Sequence, residues 1–153
     1  MVTNQSNDLV YAKFGDLPKY QGRILQYLYS NEDIWKLLYY NTPDALYKTN
    51  LTTEQKRALI YSTDGETYPQ DTTIYRVFLT DLSDDMWNLQ TSFMRITLPV
   101  IIPTNRTEGT LNFDIDVLVH TKVDMLNSMV SRKVCLLSNI LKSLNGAEIN
   151  GVG

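Results

Sequence analysis

The sequence predicts an α+β domain: short N-terminal helices, then an antiparallel sheet with a long β-hairpin, then one long C-terminal amphipathic helix packed on that sheet. Three observations carry this expectation. Between residues 17 and 62 apolar side chains recur at three and four in short runs. Between 94 and 119 the period switches to two, and from 126 to 144 it returns to three and four. A period near 3.6 marks a helix with one buried stripe, and a period of two marks a strand with one buried face.

The 153 residues suffice for one domain with a single core. Hydrophobic content of 43% and charged content of 20% are ordinary for a globular chain. The net charge of −3 and pI near 5.1 oppose general nucleic-acid binding, which needs a basic face to neutralise phosphates. With Cys135 as the single cysteine, no disulfide forms within the chain and no thiolate metal cluster can be built. Cys135 reads as a small apolar residue on a helix. The stretch from Met1 to Asn7 is polar and unlike a signal peptide, and the longest apolar runs, such as Val100 to Ile102, are too short to cross a bilayer. Ten of the sixteen aromatic residues are tyrosine, whose apolar ring and polar tip suit either subunit contacts or half-buried surface.

The chain divides into an extended arm (1–16), one α+β domain (17–146) and a tail (147–153). A helix starts after Asp16, with Pro18 in its first turn, where a missing N–H is not needed. Its apolar face is Ile24, Leu25, Leu28 and Tyr29. Asn31 can cap a second helix carrying Ile34, Trp35, Leu38 and Tyr39. Thr42-Pro43 closes that helix. Thr52 and Gln55 form a capping-box pattern ahead of Ala58, Leu59 and Ile60. A polar loop, 63–73, leads to a strand with Tyr75, Val77 and Leu79 on one face. After the acidic loop 81–88, Met94, Ile96, Leu98, Val100 and Ile102 alternate on one face of the next strand. Pro99 cannot donate to a ladder, so this strand is an edge or is bulged there. Across the turn 103–109, Leu111, Phe113, Ile115, Val117 and Val119 alternate with Asn112, Asp114, Asp116 and His120. Asp124 can cap the last helix, with Leu126, Met129, Val130, Val134, Leu137, Ile140, Leu141 and Leu144 as its face and Asn145-Gly146 as its stop. Such a helix would be roughly 30 Å long, at about 1.5 Å per residue.

The search for chemistry finds little. Gly-rich phosphate loops and the G-x-S-x-G elbow are absent from the sequence, and a single histidine cannot supply a multi-histidine metal site. No cofactor is expected. One constellation could hold a cation: Asp114, Asp116 and His120 at i, i+2 and i+6, helped by Asp84 or Asp85. That would make the chain a metal-dependent hydrolase or nuclease. Against it stands the ordinary polar face of a half-exposed strand. A third reading is a small adaptor binding a peptide along the strand edge near Pro99. The turn carrying Arg106 and Glu108 sits on a rigid hairpin, where contact loops are common.

A polar arm, short helices ending in Leu37 to Tyr40, a long hairpin whose return strand reads Phe113-Asp-Ile-Asp-Val-Leu-Val-His120, and a closing amphipathic helix together resemble the neck proteins of tailed phages. These are the tail terminators and head–tail joining proteins. The likeness covers most of residues 17–146 and is one of element order. It implies a non-enzymatic virion subunit, made in the host cytoplasm, that assembles a homo-oligomeric ring of six or twelve copies at the head–tail interface. The implied partners are portal or adaptor proteins and tail tube proteins, with DNA only passing through the lumen and no membrane contact. Arg106, Glu108, Asp114, Asp116 and His120 are the expected interface residues, with the arm and the tail as further contact elements.

Overall fold

The computed structural model describes residues 17–62, 69, 71–80, 86, 88–105 and 109–147. The arm 1–16, most of the loop 63–70, the acidic loop with Asp81, Asp84 and Asp85, the turn residues Arg106 and Glu108, and the tail from 148 lie outside the described residues.

Helix α1 (Leu17–Tyr29) buries Tyr20, Ile24, Leu25 and Leu28. Pro18 sits in its first turn, where its missing N–H leaves no gap in the helix. Helix α2 (Glu32–Tyr39) opens at Asn31 with two acids, Glu32 and Asp33, in its first turn. Negative charge there complements the free N–H groups of the helix start. Asn31 occupies the cap position, yet its side chain makes no cap bond. It reaches instead to the C-terminal helix, donating to Ser143 Oγ at 2.9 Å and to the Asn139 carbonyl at 3.3 Å. A 3₁₀ turn (Ala45–Tyr47) follows, and then helix α3 (Thr53–Ala58). The capping box is formed in full: Gln55 N–H donates to Thr52 Oγ1 at 3.2 Å, and Thr52 N–H donates to Gln55 Oε1 at 2.9 Å.

Strand β1 (Val77–Phe78) pairs with β2 (Ser92–Pro103), and β2 with β3 (Gly109–Val119). The hairpin β2–β3 is antiparallel as expected, while β1 joins parallel to β2, so the sheet is mixed. The expected strand through Tyr75 and Leu79 shortens to two residues. Its outer edge is occupied by the residues after α3: Val77 N–H donates to the Leu59 carbonyl at 3.0 Å and Tyr61 N–H to the Val77 carbonyl at 2.8 Å.

Strand β2 is bulged between Thr97 and Val100, the segment holding Pro99, where two residues oppose one on β3. A one-residue slip exchanges the faces of everything beyond it. Met94 and Ile96 therefore point into the core with Val117, while Val100 and Ile102 pair with Asn112 and Thr110 on the opposite face and are exposed. The expectation that 94 to 102 share one face fails at that bulge.

The fold is α+β as expected, with a C-terminal helix packed on the sheet, but that helix is shorter than the spacing predicts. Helix α4 (Thr121–Asp124) ends early, a turn with Met129 at φ 58 follows, and α5 (Arg132–Leu144) begins anew at Ser131. Asp124 still caps the last helix, but across that turn: its Oδ1 accepts from Lys133 N–H at 3.0 Å and from Ser131 Oγ at 2.9 Å. Leu126 keeps its core place from within the turn, which is why the apolar spacing runs on as if unbroken. Thirteen helical residues span about 20 Å, not 30.

The main core lies between one sheet face (Met94, Ile96, Val117) and the helices, through Leu28, Trp35, Leu38, Leu136 and Ile140. Each such side chain contributes about 1.5–3 kcal/mol on burial. A smaller cluster of Phe78, Met86 and Phe93 covers part of the other face. Gln21 fixes α1 to the sheet by donating to the Leu79 and Ile96 carbonyls at 3.1 and 2.9 Å. Lys56 is buried between α1 and α2, with Nζ 2.5 Å from Glu32 Oε1 and over the Tyr29 ring.

Arg132 is fully buried. Its guanidinium donates to four carbonyls: Val123 (2.7 Å), Leu37 (2.8 Å), Tyr40 (2.6 Å) and Thr42 (2.8 Å). Burial pulls its pKa below the ordinary arginine value, while nearby Asp124 opposes that shift. Replacing Arg132 with Met strands those carbonyls in a dry site. Urea unfolding of Arg132→Met should show a loss of about 3–5 kcal/mol; a loss under about 1 kcal/mol would mean that the carbonyls find other partners.

Candidate functional site

The expected constellation on β3 does not assemble. Asp114 and Asp116 share one face of the strand, as their spacing requires. Asp114 is exposed opposite Thr97. Asp116 is bound to its cross-strand neighbour Arg95, whose Nε and Nη2 donate to Oδ2 at 2.9 and 2.5 Å. His120 falls past the end of the strand. Its Nδ1 accepts the Lys122 N–H at 3.2 Å and so caps α4, and its own N–H donates to the Thr91 carbonyl at 3.1 Å. Among the described residues no three acidic, histidine or cysteine side chains gather closely enough to hold a metal ion. Asp84, Asp85, Arg106 and Glu108 lie outside them.

A cavity of about 250 Å³ lies by the base of the hairpin, lined by Met86, Leu89, Phe93 and Leu118 with Thr91, His120 and Lys133. Its walls are mostly apolar. Thr91 Oγ1 is engaged, donating to Asn41 Oδ1 at 2.9 Å. Burial, and then the charge of Asp33, push the Cys135 thiol above its ordinary range, which lowers its thiolate fraction.

The surface that stands out is apolar. On α5, Leu136 and Ile140 face the core, while Val134 (58% exposed), Leu137 (37%) and Leu141 (69%) face outward. At about 100° per residue the outward three fall within some 60° of one another, roughly a third of a turn from the buried line. The exposed Val100 and Ile102 form a second patch on the far half of the hairpin, and Met129 stands out at the turn before α5. Exposed apolar residues gathered on one face mark contact sites, whereas scattered ones do not.

Reading the helix from sequence put Val134, Leu137 and Leu141 in the core and passed over Leu136. The available signal was width: apolar residues at 134, 136, 137, 140, 141 and 144 cover more of the helix than one buried stripe occupies. Arg132 carried no signal, since a cation beside an apolar run normally reads as surface.

The model of one family, described as YomW, matches residues 31–153, from the start of α2 through the C-terminus. No curated protein and no solved structure matches the chain. The chain belongs to the YomW family, and that membership supports a phage-related protein.

The Arg95–Asp116 pair is partly exposed, so Asp116→Ala should change stability by less than about 1 kcal/mol in thermal unfolding. Calorimetric titration with Mg²⁺ should give no isotherm for the natural chain. A Mg²⁺ isotherm that Asp116→Ala abolishes would reinstate the hydrolase reading.

Proposed function

We propose that this member of the YomW family is a non-enzymatic structural subunit of the phage neck, forming a ring that joins head to tail or terminates the tail tube. The observation that supports it is the pair of exposed apolar patches, on α5 and on the far half of the hairpin. Two different patches on one chain suit head-to-tail contacts, which close into a ring when the rotation between copies allows. The ring would hold six or twelve copies and bind portal or adaptor proteins on one side and tail tube proteins on the other. A net charge of −3 per subunit suits a channel through which DNA passes without adhering, because like charges repel. The phage resemblance in element order and the phage-related family point the same way.

The role is tested by position in the particle. Gold-labelled antibody against the chain, applied to purified particles of the phage that encodes it, should mark the head–tail junction. Disrupting the gene should leave unjoined heads and tails. Label on the capsid wall or tail tip, or particles free of the protein, would overturn the proposal.

A further inference from the structure

The two apolar patches cannot meet within one chain. Helix α5 covers the sheet face that carries Met94, Ile96 and Val117, through Leu136 and Ile140. Beyond the bulge, Val100 and Ile102 stand on the opposite face, with Asn112 and Thr110 as their pairs. The outward residues of α5 lie roughly a third of a turn from its buried line and are exposed. Among the described residues neither patch has an element that covers it.

Their charged borders differ in sign. On the hairpin, Asp114 lies on the same face as Val100 and Ile102, exposed and without an ion pair among the described residues. On α5, the helical projection puts Lys133 to one side of the Val134–Leu137–Leu141 line and Lys142 to the other. Neither lysine makes an ion pair among the described residues. An apolar patch with an acidic edge thus faces, on another copy, an apolar stripe between two cations. A hairpin patch set on a second hairpin patch, or one α5 stripe on another, would offer borders of the same sign and no complementary charge. Like charges at a border oppose both of those symmetric pairings.

We propose that the far half of the hairpin of one copy docks on helix α5 of a second copy, Val100 and Ile102 packing on Val134, Leu137 and Leu141, with Asp114 beside the flanking lysines. The contact is head-to-tail, so each copy offers one half to each neighbour. It rests on the ring reading for its biological setting, but not for its geometry. The bulge in β2 is the device that makes it: without the inserted residue, Val100 and Ile102 would join the core face.

The test uses the full chain and two double variants, all compared by native mass spectrometry over a concentration series. The hairpin variant is Val100→Asp with Ile102→Asp, and the helix variant is Val134→Asp with Leu141→Asp. All four positions are exposed, so circular dichroism and melting temperature should match the natural chain; if an aspartate pair unfolds it, serine at the same positions carries the same test. The natural chain should form a discrete closed species, and each variant alone should lose every species above the monomer. An equimolar mixture of the two variants should restore one contact only, giving a heterodimer and nothing larger. A variant that assembles like the natural chain, a mixture that yields no heterodimer, or a natural chain that stays monomeric would each overturn the docking. The two readings fail separately. Neck labelling with unaffected variants would sink the contact and leave the role, while a hairpin-dependent ring found elsewhere in the particle would do the reverse.

Discussion

The guanidinium of Arg132 is the constraint on which the rest of the packing depends. Four carbonyls converge on it from three segments: the end of α2, the turn after it, and α4. A helix end leaves its last carbonyls without partners, and these carry partial negative charge. A buried cation beside them satisfies both needs, and the planar fork of arginine reaches several acceptors where an ammonium would reach fewer. The start of α5 is thereby held against the end of α2, and Asn31 performs the matching task at the other end of the helix pair through Ser143 and Asn139. With both ends held, Leu136 and Ile140 face the core, and Val134, Leu137 and Leu141 face out.

The hairpin is governed by a second local decision with a distant effect. The bulge in β2 keeps Met94 and Ile96 in the core and turns the far half over. Strand β3 runs through without a break, so the two strands agree near the core and diverge in character beyond it. Near the base the sheet is covered on both faces, by the helices on one side and by the Phe78, Met86 and Phe93 cluster on the other. Far from the base, Val100 and Ile102 are left exposed. Surface of this kind costs solubility unless something covers it, and a neighbouring copy is the occupant proposed above.

Asp116 and His120, which the sequence offered as cation ligands, make structural contacts, as does the capping residue Asp124. Asp116 neutralises Arg95 across the hairpin, His120 ends the strand and begins α4, and Asp124 starts α5 from across a turn. Each accepts a hydrogen bond or ion pair close by, and among the described residues no three acidic, histidine or cysteine side chains gather to form a metal centre. The proposed neck role needs no such centre. It asks for a stiff domain with two different faces, and the buried Arg132 and the bulged hairpin are what make the faces different.

The sequence by itself determined what depends on near neighbours. The capping box of Thr52 and Gln55 is set by three residues of spacing, the alternation of β3 by the two-residue pleat, and the short helices before residue 62 by runs that Asn31 and Pro43 interrupt. Pro99 announced its bulge because it lacks an N–H. The tertiary structure decided the rest. It placed Arg132 inside, broke the last helix between Asp124 and Ser131 while keeping Leu126 in the core, added β1 in parallel, and exposed one apolar line of α5 while burying another. The physical reason is common to all of these. A periodic pattern states that a face is apolar, but burial is a relation between two elements, and which face gains a neighbour is settled only when distant carbonyls, strands and helices have been brought together.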